Sequence, residues 1–434
     1  MLGLKAKWII PSAEEEPLED ACILIEGGKI KEIIQNDSLP TDVNVYELGE
    51  SIVFPALVNA HTHISMSIFR GIAEDLPLME WLTQYIFPVE AKLKREWVYW
   101  GAKLSLIEMI KGGTGIFCDM YIFEPEVIKA TKEAGLRATL GEGLFDFPSP
   151  GYGPLEKGFE ITEELLKTYE GDEFINIAVS PHTLYTCSPD TVKKCVELAK
   201  KYKAKLHIHL CENQEELKVV KEKHGKEPVK IMEEIGGLGE FLISAHCVKI
   251  TDEEIDLFAE KGVYPVHCPE SNLKLGSGIA PVVEMLLKGV KVCLGTDGPA
   301  SNNDLDMFSE MRTASLVQKG IKENPAVISA KDVFKMATEN GAKALGFDRS
   351  GRLSPGYNAD LAVVDLKNSV LQPIYDPLAT LVYSVKAGQV SHLMIGGKWI
   401  MENYHILTIN EEEVVQKVKE IQKEILDILK ERKN

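Results

Sequence analysis

Val53-Phe54-Pro55-Ala56-Leu57-Val58-Asn59-Ala60-His61-Thr62-His63 is an apolar run that stops on His-x-His. The run predicts a buried strand over 53–58. In extended chain, side chains two apart point to the same side. His61 and His63 therefore converge from one strand end, which suits two imidazoles on one cation. Two polar residues in a loop after a strand would look the same, so the remainder of the chain has to decide.

Downstream of this run the pattern alternates. Further strands are predicted at 115–119, 136–142, 174–180, 204–210, 241–246, 262–267 and 290–296. Helical patterns lie between them, at 97–110, 124–134, 188–202, 214–235, 251–261 and 280–288. In the first, Trp97, Trp100, Leu104 and Ile107 recur at helical spacing and Gly112-Gly113 forms a stop. Eight strands alternating with helices predict an α/β fold, a (β/α)8 TIM-like barrel. A doubly wound open sheet is the runner-up, but no G-x-G-x-x-G follows the first strand.

The flanks have a different rhythm. Gly27-Gly28 separates two strand-like runs, and Gly396-Gly397 does the same near the other end, the signature of tight hairpins. These predict a small composite β-sandwich domain built from both termini, residues 1–54 and 355–434, around a barrel at 55–354. Two unrelated hairpins are the alternative. Helices near 304–319 and 330–345 follow the eighth strand, and 359–365 is the strand that returns the chain to the β domain. A C-terminal helix begins after Asn410, with Glu413 at the third position and an apolar stripe of Val414, Val418, Ile421, Ile425 and Leu429.

The chain has 434 residues, 45% of them hydrophobic and 26% charged, with a formal net charge of −18. That surplus of acid argues against nucleic-acid and anionic-membrane partners. The eight cysteines form no C-x-x-C pair, so free thiols in a reducing cytoplasm are expected. The N-terminal residues do not read as a signal peptide, and no stretch approaches a membrane span. A small-molecule partner is expected, with a homo-oligomer left open.

Functional groups of a barrel sit where its strands end. His61 and His63 follow strand 1, His182 strand 4, and His209 strand 5 with Glu212 three residues on. His246 ends strand 6, His267 strand 7 and Asp297 strand 8, while His207 lies inside strand 5. A packed barrel would place Val, Ile or Leu at such positions. His61, His63, His209 and Asp297 offer three imidazoles and a carboxylate, a set that suits one Zn²⁺ with an open position. Fe²⁺ or Mn²⁺ would fit nearly as well. Asp297 could take a proton from a metal-activated water, Glu212 could donate one, and His246 could orient the water. Glu212 could equally be an acid in the first turn of a helix.

Pro55-Ala56-Leu57-Val58-Asn59-Ala60-His61-Thr62-His63, His209-Leu210-Cys211-Glu212, Ser244-Ala245-His246-Cys247 and Gly295-Thr296-Asp297-Gly298 resemble the amidohydrolase superfamily. More narrowly, they resemble its methylthioadenosine/S-adenosylhomocysteine deaminases and the related 5′-deoxyadenosine deaminases. The likeness covers essentially the whole chain, including Gly356-Tyr357-Asn358-Ala359-Asp360-Leu361. It implies hydrolytic deamination of adenine nucleosides (methylthioadenosine, S-adenosylhomocysteine, 5′-deoxyadenosine, adenosine) to the inosine analogues and ammonia. It also implies His61, His63, His209 and Asp297 as ligands of one Zn²⁺ per subunit, Glu212 as the acid that protonates purine N1, and His246 as the histidine beside the hydroxide. Glu90 matches the carboxylate that binds the ribose hydroxyls, and His182 a further substrate-binding histidine; Glu212 and Asp297 also meet the substrate. Leu78, Met79 and Trp81 could wall the purine or could be plain loop packing.

One departure stands out. Relatives that accept S-adenosylhomocysteine are expected to offer an arginine for its carboxylate, whereas residues 143–160 carry Lys157 as their only cation. Lysine lacks the forked geometry of arginine, so small 5′ groups are expected to be handled at least as well as homocysteine. The alternatives are a deaminase of a free base such as guanine, a chlorohydrolase on the same scaffold, and a non-catalytic barrel. Glu90 and His182 favour a ribose over a free base, and a non-catalytic barrel would lack metal ligands.

Overall fold

A computed structural model describes residues 1–76 and 78–431, with the backbone alone for Asp37, Leu78 and Met79. The N-terminal strands are β1 (Leu2–Ile9), β2 (Leu18–Glu26), β3 (Lys29–Gln35) and β4 (Asn44–Pro55). Next come β5 (Leu57–Thr62), β6 (Thr114–Tyr121), β7 (Arg137–Leu144), β8 (Ile175–Pro181), β9 (Lys205–Leu210), β10 (Leu242–His246), β11 (Tyr264–His267) and β12 (Cys293–Leu294). The C-terminal strands are β13 (Leu361–Asp365), β14 (Val390–Ile395), β15 (Lys398–Glu402) and β16 (His405–Ile406).

Strands β5 to β12 pair in parallel, each with the next, to make the expected barrel with helices outside. The seam between β12 and β5 is closed largely by side chains. Asn59 Nδ2 donates to Thr296 Oγ1 at 2.7 Å and Asn59 Oδ1 accepts from Thr296 N at 3.0 Å. Asp297 N also donates to His61 O at 3.0 Å. A Cβ on Gly295 would stand 2.7 Å from His61 N, so glycine permits this closure. The seam thus fixes His61 and Asp297 against each other.

The strand expected at 53–58 is two strands. Val53, Phe54 and Pro55 end β4, which pairs with β13, and the barrel strand begins at Leu57. The pairing changes hands at Pro55, which has no N–H to give: Ala56 N donates to Asp360 O and Leu57 N to Gly113 O. Both strands are buried, so their apolar residues run together in sequence. His61 therefore lies inside β5, and His63 just beyond it. The expected strand 290–296 is reduced to Cys293–Leu294. Helix 214–235 is broken into Gln214–His224 and Pro228–Glu234 at Gly225 (φ +74°), and 330–345 into Ala330–Met336 and Glu339–Ala344.

The remaining eight strands form one continuous mixed sheet, in the order β16-β15-β14-β13-β4-β1-β2-β3. Strands from both chain ends share a core of Leu4, Ile9, Ile23, Ile25, Val363 and Met394. The two glycine hairpins meet: a Cβ on Gly28 would lie 2.7 Å from Gly396 O, and one on Gly397 2.7 Å from Gly28 Cα. Any larger residue at either tip would separate the halves. Arg137 of β7 joins sheet to barrel through buried bonds to Asp360, from Nε at 2.8 Å and Nη2 at 3.3 Å. The C-terminal helix (Glu411–Glu431) buries Val414, Ile421 and Ile425, and Glu413 N bonds to Asn410 Oδ1. Among the described residues no helix is long and apolar enough to cross a membrane. All eight cysteines are buried and free.

Candidate metal centre and substrate cavity

Four side chains converge at the C-terminal mouth of the barrel. His63 Nε2 lies 3.1 Å from His209 Nε2 and 3.2 Å from Asp297 Oδ1, and His61 Nε2 lies 3.4 Å from the same oxygen. Bonds of about 2.0–2.1 Å to zinc put the corners of a tetrahedron about 3.3 Å apart, so these separations fit one ion. His61 Nε2 is fully buried and makes no hydrogen bond, as a nitrogen reserved for a metal would. The back of each ring is tethered. His63 Nδ1 donates to Met120 O at 2.5 Å and His209 Nδ1 to His182 O at 2.9 Å. Carbonyls only accept, so both rings must hold a proton on Nδ1, which in the neutral ring leaves Nε2 a bare lone pair. Asp297 Oδ2 accepts from Ser271 Oγ (2.6 Å) and Ser301 Oγ (2.9 Å), and Oδ1 accepts from Gly298 N (2.8 Å).

The turn between the first two histidines has its own support. Asp119 Oδ1, at the end of β6, accepts from Thr62 Oγ1 at 2.7 Å and Ile64 N at 2.6 Å. The other Asp119 oxygen and both oxygens of Glu124 are buried with no donor. Burial pushes both carboxyls up, Glu124 well above the ordinary range. A proton shared between the two acids satisfies this buried pair.

A cavity of about 500 Å³ opens onto the cluster. His182, Glu90, Glu212 and His246 all line it, together with the aromatic residues Trp81, Phe87, Phe145, Phe147, Tyr121 and Tyr185. Among the described residues, no lysine or arginine does. Trp81 is the one member of the expected apolar wall whose side chain is described; those of Leu78 and Met79 lie outside the described part. His246 bonds through Nδ1 to Asn272 Oδ1 at 2.9 Å, which leaves its Nε2 for the centre. Its ligand nitrogen lies within 4.8 Å of those of His61 and His209. Backbone in the left-handed region turns the chain at His246 (φ 72°) and Asp297 (φ 64°). Non-glycine residues rarely adopt it outside constrained sites.

Glu212 precedes the helix Gln214–His224 and is capped out of it by Asn213. It is therefore not an acid of the first helical turn. Ser277 Oγ donates to its Oε1 at 3.4 Å. Glu216 clamps the turn by accepting from Cys211 N (3.1 Å) and Glu212 N (2.6 Å). Glu90 Oε1 accepts from Tyr121 Oη at 2.6 Å. His182 Nδ1 faces Thr186 Oγ1 at 2.9 Å.

Burial dominates the charges. It raises the carboxyls of Glu212 and Glu90, and lowers His61 and His182 to about 3. At His63 burial works downward, but Asp297 and Asp119 outweigh it and raise the imidazole to about 9. Asp297 is held well below the ordinary range, against the push of burial, by its contacts with His61 and His63. In the metal-free chain, then, a proton on His63 stands where a cation would.

Every metal, catalytic and substrate-binding residue expected from the sequence reaches this one mouth; His267, a strand-end histidine given no role, has two ring nitrogens buried without partners. Sequence reasoning missed Asp119, Asn272, Tyr121 and Glu216. An acid at the end of β6, in Cys118-Asp119-Met120, was the available signal for the first. The others contact the site from positions with no distinctive spacing.

Residues 52–400 match the model of the amidohydrolase family. A protein of Syntrophobacter fumaroxidans named 5-methylthioadenosine/S-adenosylhomocysteine deaminase is 46% identical over 411 residues, 94% of either chain. One of the same name from Pyrococcus abyssi is 45% identical over 93% of this chain and 95% of its own. A crystal structure of an adenosine deaminase from Xanthomonas campestris with bound zinc superposes with a TM-score of 0.95 at 34% identity, covering 98% of both chains.

Proposed function

This chain belongs to the amidohydrolase family, and on that premise we propose that it is a zinc-dependent aminohydrolase of adenine nucleosides. It replaces the C6 amino group of the purine by oxygen from water, giving the inosine analogue and ammonia. One zinc per subunit is held by His61, His63, His209 and Asp297. When bound, zinc lowers the pKa of water to about 7 and so supplies the nucleophile at neutral pH.

The chain's own residues handle the protons. Glu212, whose carboxyl is pushed up by burial, gives its proton to purine N1 as water oxygen adds to C6. Asp297 takes one proton of the water and passes it to the departing amino group, which leaves as ammonia, and the second water proton restores the Glu212 carboxyl. His246, fixed through Asn272, orients the water. Glu90, held by Tyr121, receives the ribose hydroxyls with its free oxygen, and His182 lies beside the substrate. The observation that carries this reading is that a buried carboxyl, Glu212, faces the same cavity as a four-residue zinc-type donor set.

The cavity also favours a substrate class. Its lining is aromatic and proline-rich and, among the described residues, offers no cation to a carboxylate. Lys157 is exposed and bonded to Glu160. Methylthioadenosine and 5′-deoxyadenosine are therefore the preferred substrates, ahead of S-adenosylhomocysteine. The chain divides into a barrel at 55–354 and a β domain from 1–54 and 355–434, and a cytoplasmic setting fits its free thiols. Ammonia release across adenosine, 5′-deoxyadenosine, methylthioadenosine, S-adenosylhomocysteine and guanine tests the proposal. Turnover of guanine alone would refute the nucleoside, and a much higher kcat/KM for S-adenosylhomocysteine would refute the preference.

A further inference from the structure

Three histidines aim Nε2 at the metal centre, and each must then carry its ring proton on Nδ1. Main-chain carbonyls enforce this at His63 and His209. His61 has no such carbonyl. Its Nδ1 faces Nε2 of His207 at 2.8 Å. An imidazole nitrogen donates or accepts according to which nitrogen of its ring holds the proton, so this contact has two opposite forms. His207, in β9, is fully buried, and its other nitrogen, Nδ1, lies 3.3 Å from Cys118 Sγ in β6. The deamination chemistry uses neither residue.

We propose that His207 and Cys118 are positioning residues that set the ring proton of His61 for zinc. His207 carries its proton on Nδ1, directed at the Cys118 sulfur. Its bare Nε2 accepts from His61 Nδ1–H, and His61 Nε2 is left bare for the metal. In the opposite form His207 holds its proton on Nε2, His61 Nδ1 must accept, and the His61 proton moves to Nε2, where it blocks the metal. Both forms contain the same number of protons: in the first the Cys118 sulfur accepts from His207 Nδ1, and in the second its S–H donates to that nitrogen. A buried thiol sulfur serves as the acceptor in the first form, and it brings no competing charge under the site.

The pattern is legible once seen. His207-Ile208-His209 repeats the spacing of His61-Thr62-His63, so both rings of β9 point inward. One is a ligand, and the other stands behind a ligand from the opposite side of the barrel.

Two substitutions separate reach from polarity. His207→Gln keeps a carbonyl oxygen near the place of Nε2, whereas His207→Asn carries the same amide too short to meet His61. In competition with a chromophoric chelator, His207→Asn is expected to bind zinc about 10–100-fold more weakly, and His207→Gln to stay within about three-fold of wild type, the range seen when partners of ligand histidines are removed. Metal-free melting temperatures of the two variants should agree with each other. Unchanged affinity in His207→Asn, or a Gln variant as weak as the Asn variant, overturns the proposal. Should the Asn variant fail to fold, 15N NMR of zinc-loaded wild-type protein labelled at histidine decides it. A proton on His207 Nδ1 is expected, and a proton on Nε2 overturns the inference. The inference rests on the zinc site proposed above: a wild-type chain that binds no zinc defeats that site, whereas these comparisons judge His207 alone.

Discussion

His63 Nε2 and His209 Nε2 face each other at 3.1 Å, with Asp297 Oδ1 3.2 Å from the first. Two bare imidazole nitrogens at that distance repel, so something positive must lie between them. In the metal-free chain it is the proton of His63; on the proposed reading zinc takes its place.

Zinc therefore competes with a proton. Because His63 is raised to about 9 by Asp297 and Asp119 against its burial, the metal-free site is protonated at neutral pH and must lose that proton to bind. Apparent zinc affinity should rise about tenfold per pH unit up to about pH 9 and flatten above it. Titration calorimetry in buffers of different ionisation enthalpy should find about one proton released per zinc at pH 7. Affinity that is flat from pH 6 to 8 would contradict this.

Glu212→Gln keeps the shape of the side chain and removes the acid. Zinc content should be unchanged and kcat reduced by about 10²–10⁴, the usual worth of a positioned acid. In the proposed mechanism Glu212 acts in its protonated form, and burial raises its pKa, so kcat should fall as pH rises through that pKa. The Gln variant should lose this alkaline limb. A variant that keeps both turnover and limb would remove Glu212 from its role.

Asp119→Ala strips the acceptor from Ile64 N and leaves Thr62 Oγ1 with Cys118 O alone. Buried donors left unpaired cost about 1–3 kcal/mol each, so a loss of stability in that range is expected by urea titration. Zinc occupancy should fall with it, because the turn joining His61 to His63 is no longer held. Wild-type zinc affinity in a folded Asp119→Ala chain would show that the turn holds itself.

Phe147 is exposed at the rim of a cavity that, among the described residues, no lysine or arginine lines. Phe147→Arg brings a forked cation to the mouth. It should raise kcat/KM for S-adenosylhomocysteine relative to methylthioadenosine by roughly ten-fold, the effect of one partly exposed charge-assisted bond. An unchanged ratio would mean that the 5′ group does not lie toward Phe147.

The barrel and its four zinc-type donors were legible because each signal was local. Strand parity places His61 with His63, and the later histidines stand where strands end. What the sequence did not disclose depends on contacts distant along the chain. The split of 53–58 into two strands turns on the single Pro55, since buried strands of either sheet look alike. Asp119 supports Thr62, 57 positions away along the chain. Glu90 gave no spacing signal among 66 acidic residues, and the family resemblance alone pointed to it. Its hydrogen bond from Tyr121 at the cavity wall is what now sets it apart.

The central claim is hydrolysis at C6 by zinc-activated water, and one measurement addresses it directly. Zinc-loaded protein is incubated with methylthioadenosine in 18O-labelled water, and the product is analysed by mass spectrometry. The account predicts one ammonia released and one labelled oxygen at C6 for each substrate consumed, with no conversion after zinc is chelated. Unlabelled product, or conversion that continues at the same rate without metal, would contradict it.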